Sequence, residues 1–488
     1  MKKQYLNFAF AFIVLVASAV PLSAEGGVDF SCDIETRWGA ALPWTDTDST
    51  SGRFTIGDTS FKTKLDAYYG NTSAYAEATL SYDAARALNG AINGSTLSGG
   101  GVTGSGAGVN FGYGFNLNLG ELWADYTSSF WGIRIGRQKT AWGKADGIDV
   151  TNIICPENMQ SLAQMAIDKA KIAVDAVRVS FNVNSFAADI WWIPFVTSTA
   201  LPIDDGNPLK RFVIPSSVDF PVPSAGTTLK LPVSIGNITA PEVAIWNGEY
   251  GAKLSGYFSA LDISLYGFYG WDNIPLFDYT LSYGAPSTPT VPTGLSVSGE
   301  YKRVAMIGAD AAIPVGETVI RLEAAFFPDR YFQKSSESVL KEKIAAQTAA
   351  AMNGTSPAKV DFFEQRNELS ALAGVDWMPT GWTITAQYYC DCVFGNIDSL
   401  DRETPYTHGV TLSVSKTLLN ETLKLNLVAL LGLNDFDSVI YPSVNYSISD
   451  QLTFSAGAYI FIPGPEKKGK YGTYKDLSTA FISARFAL

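Results

Sequence analysis

Seven side chains set charge or amide groups into strand-like surroundings: Glu121, Asp125, Arg134, Arg137, Gln138, Arg321 and Glu323. Carboxylates interleaved with guanidinium groups form ion pairs and contact passing solutes. Hydrolysis would need a nucleophile, a base and an orienting residue together, and no such set is present, so no enzyme is expected. The group centres on Phe130 to Gly147, FWGIRIGRQKTAWGKADG. There Trp131, Ile133 and Ile135 share one face of a strand, while Gly132, Arg134, Gly136 and Gln138 share the other. An arginine facing a dry core needs a partner, whereas one facing water does not. The stretch therefore reads as one stave of a water-containing barrel.

Arg137 breaks this pattern, because strict alternation turns it outward; a bulge at Gly136 would turn it inward. Taken singly, the charged residues read as ion pairs between neighbouring staves. Taken together, they read as a polar lumen constriction.

The elements that must position them repeat with a period of two. Val28, Phe30, Cys32, Ile34 and Thr36 alternate with Asp29, Ser31, Asp33, Glu35 and Arg37. Phe61 to Tyr69 and Ser73 to Tyr82 alternate likewise, and a one-residue slip would put every charge on the apolar face. Further strand pairs are expected at 174–183/185–195, 243–258/261–271, 301–313/317–328, 366–378/382–394, 406–416/421–432 and 438–448/451–462. The loops between pairs are long: 83–114, 143–173, 196–242, 272–300, 329–365 and 463–475. Helical signals lie at Gln160 to Ile172 and Ser335 to Met352. The glycine-rich GSGAGVNFGYG within 83–114 lacks a following helix and reads as a surface loop, not a phosphate cradle. Short turns at one end and long loops at the other imply an all-β transmembrane antiparallel barrel of about 18 strands. The last strand, to Leu488, closes the edge.

Lys2 and Lys3, an apolar run from Phe8 to Val20 and Leu22-Ser23-Ala24 form a secretory signal peptide over residues 1–24, leaving 25–488 as one barrel domain. The signal holds two of the 35 basic residues and none of the 47 acidic ones, so the mature chain carries a net charge of −14. That excludes a nucleic-acid partner. No other apolar stretch reaches 18 residues, so no transmembrane helix is expected. Cys390 and Cys392 fall in phase with Ile384, Ala386 and Tyr388 and read as small apolar residues of the outer face. The single histidine, His408, marks a strand end. No metal site or cofactor is expected.

Several stretches together resemble an uncharacterised family of Gram-negative outer-membrane barrels often encoded beside resistance-nodulation-division (RND-type) exporters. They are Ile135-Gly136-Arg137-Gln138 with Trp142-Gly143; Glu249 to Leu254 followed by LDISLYGFYGWDNIP; Tyr301-Lys302-Arg303 with Gly308 and then Ile320 to Glu323; and Tyr441 to Tyr446. The resemblance implies outer-membrane location, hydrophobic or lipid-like cargo and an RND-type exporter as partner. Outer-membrane lipid and the barrel-insertion machinery complete the expected partners.

Two function classes follow. One is a channel or transporter, either selective for a hydrophobic or amphipathic compound or a general diffusion porin. The other is an adhesin-like barrel whose loops bind host or matrix molecules. Apolar stretches at Val213-Ile214-Pro215, Phe220-Pro221-Val222 and Leu231-Pro232-Val233 read as a binding patch or a buried plug.

Overall fold

The computed structural model describes residues 26–42, 53–85, 108–112, 114–161, 170–203, 207, 209–214, 216–222, 227–283, 292–466 and 469–488. The signal peptide and most of the expected helix at Gln160 to Ile172 lie outside them. In chain order the strands are β1 (Gly26–Ala41), β2 (Phe54–Tyr69), β3 (Thr72–Asp83), β4 (Gly108–Gly112), β5 (Phe115–Thr127), β6 (Trp131–Gln138), β7 (Val174–Val183) and β8 (Phe186–Ile193). Next come β9 (Ser217–Val222), β10 (Thr227–Thr239), β11 (Glu249–Tyr257), β12 (Asp262–Trp271), β13 (Leu276–Tyr283), β14 (Pro292–Glu300), β15 (Arg303–Val315) and β16 (Thr318–Gln333). The last are β17 (Phe363–Trp377), β18 (Trp382–Val393), β19 (Tyr406–Leu418), β20 (Leu423–Gly432), β21 (Ser438–Ser447), β22 (Leu452–Ile462) and β23 (Thr479–Ala487).

Omitting β4, β9, β10, β13 and β14, these strands form a closed antiparallel barrel of 18 staves. Each stave pairs with its neighbours, and β1 pairs with both β2 and β23. The seam continues to the last residue, where the Cys32 amide donates to the Leu488 carbonyl at 2.9 Å and the Leu488 amide donates back at 2.8 Å. Closure removes the unpaired edge that a bilayer would not tolerate.

Alternation decides which side chains face out. Ile135, Ile190, Leu254, Leu265, Ile307 and Ile482 are each more than half exposed on the outer face. At the short-turn end this apolar belt ends in Tyr69, Trp377 and Trp382, and at the long-loop end in Tyr250, Tyr269, Tyr388 and Tyr406. Aromatic girdles around an apolar band suit the two boundaries of a membrane. Asn184, at φ 53° between β7 and β8, makes one of the tight turns. An asparagine tolerates that left-handed conformation better than a branched residue.

Two expectations about loops need correction. Segments 196–242 and 272–300 are not irregular; they supply a separate four-stranded sheet, β9-β10-β14-β13, in which β10 and β14 run parallel. Within 83–114, β4 adds to the end of β5 that lies beyond the reach of β6. The expected strand from 243 begins only at Glu249, after a short 3-10 turn at Ile245–Asn247. The helix expected near 335–352 forms as Ser336–Asn353. The Ser335 hydroxyl accepts from the Ser338 amide, and Gly354 at φ 65° ends the helix. Lys343 Nζ ties it to Asp278 of β13 at 2.6 Å.

The buried cores lie inside the bore. One cluster gathers Trp142, Val150, Ile154 and Cys155 against Trp191, Tyr266, Phe268, Met306 and Phe327 of the wall. A second joins Leu209, Tyr471 and Leu477 to Ile56, Val439, Tyr459 and Phe481 of the opposite wall. Ile148 packs against both clusters. The connection between β6 and β7 therefore bends into the lumen and reaches across it.

Candidate functional site in the lumen

Glu323 is the anchor of the inward loop. On β16 it alternates inward with Arg321, Ala325 and Phe327, and it is 3 % exposed. Its Oε2 accepts from the amides of Lys144 at 2.7 Å and Ala145 at 2.9 Å. Its Oε1 accepts from the Thr151 amide at 2.8 Å and the Thr151 hydroxyl at 2.7 Å. A carboxylate with four such donors is well compensated for its burial. The backbone reaches it only because Gly143 adopts φ 87°.

Three neighbours complete the grip. Arg321 donates to the Lys144 carbonyl and to Asp146, both at 2.9 Å, and also pairs with Asp376 of β17. Gln387 of β18 accepts from the Asp146 amide at 2.9 Å and donates to its carbonyl at 2.8 Å. The Tyr266 hydroxyl donates to Asp310 and accepts from the Gly143 amide at 3.1 Å. The Trp142 ring lies 5.0 Å from that of Tyr266. In the loop, burial pushes the Cys155 thiol up to about 11.

At the root of the loop, Glu121 accepts from the Lys139 amide at 2.8 Å. An extra residue around Gly120 and Glu121 shifts the β3–β5 register there. Gln138 is fully buried, and its Nε2 donates to the Ala176 carbonyl at 3.0 Å. Further towards the short turns, Arg134 pairs with Asp125 at 3.0 Å and its guanidinium lies 3.6 Å from the centre of the Trp123 ring.

Six of the seven residues singled out in the sequence thus fall into three groups. Asp125 with Arg134 faces the bore, Glu121 with Gln138 holds the root of the loop, and Arg321 with Glu323 grips its far part. Arg137 stays apart. Gly136 has φ 128°, a conformation suited to glycine, but the ladders to β5 and β7 run through it without a shift. Arg137 consequently keeps its outward register and pairs with Asp175 at 3.0 Å. The expected bulge does not form.

The remaining grip residues were missed in the sequence. Asp310, Asp376 and Gln387 occupy inward positions of period-two strands, which was the available signal, but Gln387 binds the backbone of Asp146, 241 residues away, and Asp310 and Asp376 act through the side chains of Tyr266 and Arg321. Asp437 was missed because its partners too are backbone amides. Its carboxylate accepts from the amides of Tyr471 at 2.5 Å and Gly472 at 3.0 Å, holding the last long loop inward.

A family model described as "Protein of unknown function (DUF1302)" matches residues 5–404. No curated protein matches the sequence. Solved structures similar to this chain include OccAB1 of Acinetobacter baumannii, at 8 % identity and TM-score 0.47, covering 95 % of this chain and 97 % of that one. OccAB4 of the same organism is similar at 8 % identity and TM-score 0.46, covering 96 % and 99 %. So is the outer membrane protein opdK of Pseudomonas aeruginosa, at 8 % identity and TM-score 0.46, covering 95 % and 99 %.

Proposed function

The chain belongs to the family described as "Protein of unknown function (DUF1302)", and on that premise we propose that it is an outer-membrane channel for a hydrophobic or amphipathic compound. The observation that carries the proposal is the loop between β6 and β7. It fills part of the bore with an apolar core, in which Trp142, Val150 and Ile154 are buried against the wall and Ile148 is half-buried, rather than with a ring of charge. Rings of one sign select ions; here acids and bases are interleaved, Arg134 pairing with Asp125 and Arg321 with Asp376 across neighbouring staves. An apolar band about the barrel's exterior supports outer-membrane location. An RND-type exporter as partner belongs to the same reading and rests on the sequence resemblance; copurification from a crosslinked envelope tests it.

The channel reading is tested by purified protein in planar bilayers, together with uptake of an uncharged hydrophobic fluorophore into proteoliposomes. The proposal expects small ionic conductance and protein-dependent uptake of the fluorophore. Free passage of large hydrophilic sugars, with no effect on the fluorophore, would make the protein a general diffusion porin instead.

A further inference from the structure

Just before β11 the chain leans on the outside of the barrel. Arg303, at the start of β15, clamps it there. Its Nη1 donates to the Gly248 carbonyl at 2.8 Å, and its Nη2 donates to the carbonyl and to Oδ1 of Asn247 at 2.9 Å and 2.7 Å. The same guanidinium lies 4.2 Å from the centre of the Trp271 ring and 5.2 Å from that of Tyr269. The Trp271 indole donates to the Asn247 carbonyl at 3.1 Å, and a Cβ on Gly248 would stand 3.2 Å from Nε1 of Trp192. Trp192, Tyr269, Trp271 and Arg303 all alternate outward on their staves, in register with one another and with Tyr250.

The turn is also fixed internally. The Asn247 amide donates to the Ala244 carbonyl at 2.9 Å, and its Nδ2 donates to the Glu242 carbonyl at 2.7 Å. Held in this way, the turn presents Val243, Ile245 and Trp246, which are 73 %, 70 % and 79 % exposed. Each exceeds Ile307 of the apolar belt, at 68 %. Three large apolar side chains held away from the protein on a clamped turn mark a contact surface.

The belt runs up to the base of this turn. Tyr250 follows it on β11 and stands opposite Tyr269 and Trp192. One outward position below, Ala252 and Gly267 face each other, and a Cβ on Gly267 would meet nothing within 4 Å. The hollow there, about 300 Å³, is bordered by the outward side chains of Ile190, Leu254 and Leu265. Glu242, exposed at the far side of the turn, is the one charged residue from 240 to 248.

From this placement we infer that Val243, Ile245 and Trp246 are immersed in the outer leaflet of the membrane, at the boundary between acyl chains and headgroups, with Glu242 at headgroup level. The inference rests on the outer-membrane reading and adds to it a lipid contact made by a loop rather than by a stave. Continuity with the lipid-facing belt makes lipid the occupant. An indole, with an apolar body and one polar N–H, suits that boundary.

The test places a nitrobenzoxadiazole label on Ile245→Cys, with the four native cysteines replaced by serine, in nanodisc-embedded protein. Labels on Ile135→Cys and Met352→Cys give the lipid and water references; Met352, on the helix Ser336–Asn353, is 82 % exposed. Quenching by 5-doxyl-phosphatidylcholine in the bilayer and by iodide in the water is measured at each site. The expected result is doxyl quenching at 245 at least about half as strong as at 135, with iodide quenching at least about threefold weaker than at 352. Iodide quenching equal to that at 352 overturns the immersion. Shielding from both quenchers overturns it too, because a second copy of this chain then covers the turn. If the label at 135 is itself open to iodide, the membrane reading fails and the immersion with it. Heat-modifiable migration in gels confirms folding, and Val243→Cys takes the place of Ile245→Cys should that variant not fold.

Discussion

A Cβ placed on Gly143 would stand 2.3 Å from Oε1 of Glu323, on the far wall of the barrel. Two residues 180 positions apart in sequence are thus in such close approach that neither can change alone. The glutamate cannot swing away without giving up four hydrogen bonds, and the glycine's φ of 87° is costly for any residue with a side chain.

Gly143→Ala and Glu323→Ala should therefore have the same effect. Each leaves loop donors or backbone unsatisfied, weakening docking by roughly 2–4 kcal/mol. Single-channel conductance should rise in both, and trypsin should cut after Lys144 faster than in the wild type. Unchanged conductance and cleavage would show that the loop is held by its apolar contacts alone.

Cys155 supplies a pH-dependent readout of the same docking. Its thiol is raised from about 9 in the unfolded chain to about 11 by burial. The folded state thus holds the proton more tightly, so this contribution to stability is complete below pH 9 and declines as pH rises towards 11. In a variant with the other three cysteines replaced by serine, iodoacetamide should react slowly at pH 8. The reaction should accelerate above pH 9 by more than thiol ionisation alone accounts for. Glu323→Ala should bring fast labelling already at pH 8.

Ile135 is 54 % exposed on the outer face while its neighbour Arg134 faces the bore. Ile135→Arg should cost about 2–4 kcal/mol at mid-bilayer depth and impair assembly, whereas Arg134→Lys should assemble normally. Heat-modifiable migration in gels reads both. Normal assembly of Ile135→Arg would place that face outside the lipid.

Asp437→Asn should release the last long loop from β21, because its carboxylate holds the Tyr471 and Gly472 amides. Protease sensitivity between Lys470 and Lys475 should rise, with little change in cleavage after Lys144. Parallel changes at both loops would show that the loops fold as one unit rather than as two separately anchored ones.

Hairpins were the legible part of this sequence. The pairs 174–183, 406–416 and 438–448 with their partners are near their observed bounds, because each is fixed by its own alternation and a short turn. The inward loop and the separate four-stranded sheet were not legible. Docking of Lys144 on Glu323 uses backbone amides, which leave no mark in residue types. The β10–β14 pairing is parallel and joins segments some 60 residues apart, so no turn announces it. Arg137 misled for a different reason: a strand glycine marks a bulge in many sheets, but here Gly136 takes a positive φ with the register intact.

The seam between β1 and β23 also shapes how the molecule comes into being. Its ladder joins Asp33 to Ala487 and Ala41 to Thr479, contacts separated by most of the chain. No subset of staves can close the ring in advance of that ladder, so the sheet must wait with two open edges until the last stave arrives. Non-local closure of this kind is slow and leaves strand edges prone to aggregation in the interval. The waiting sheet therefore needs shelter from other unfolded chains, and the speed of seam closure, rather than the strength of the finished barrel, governs its yield.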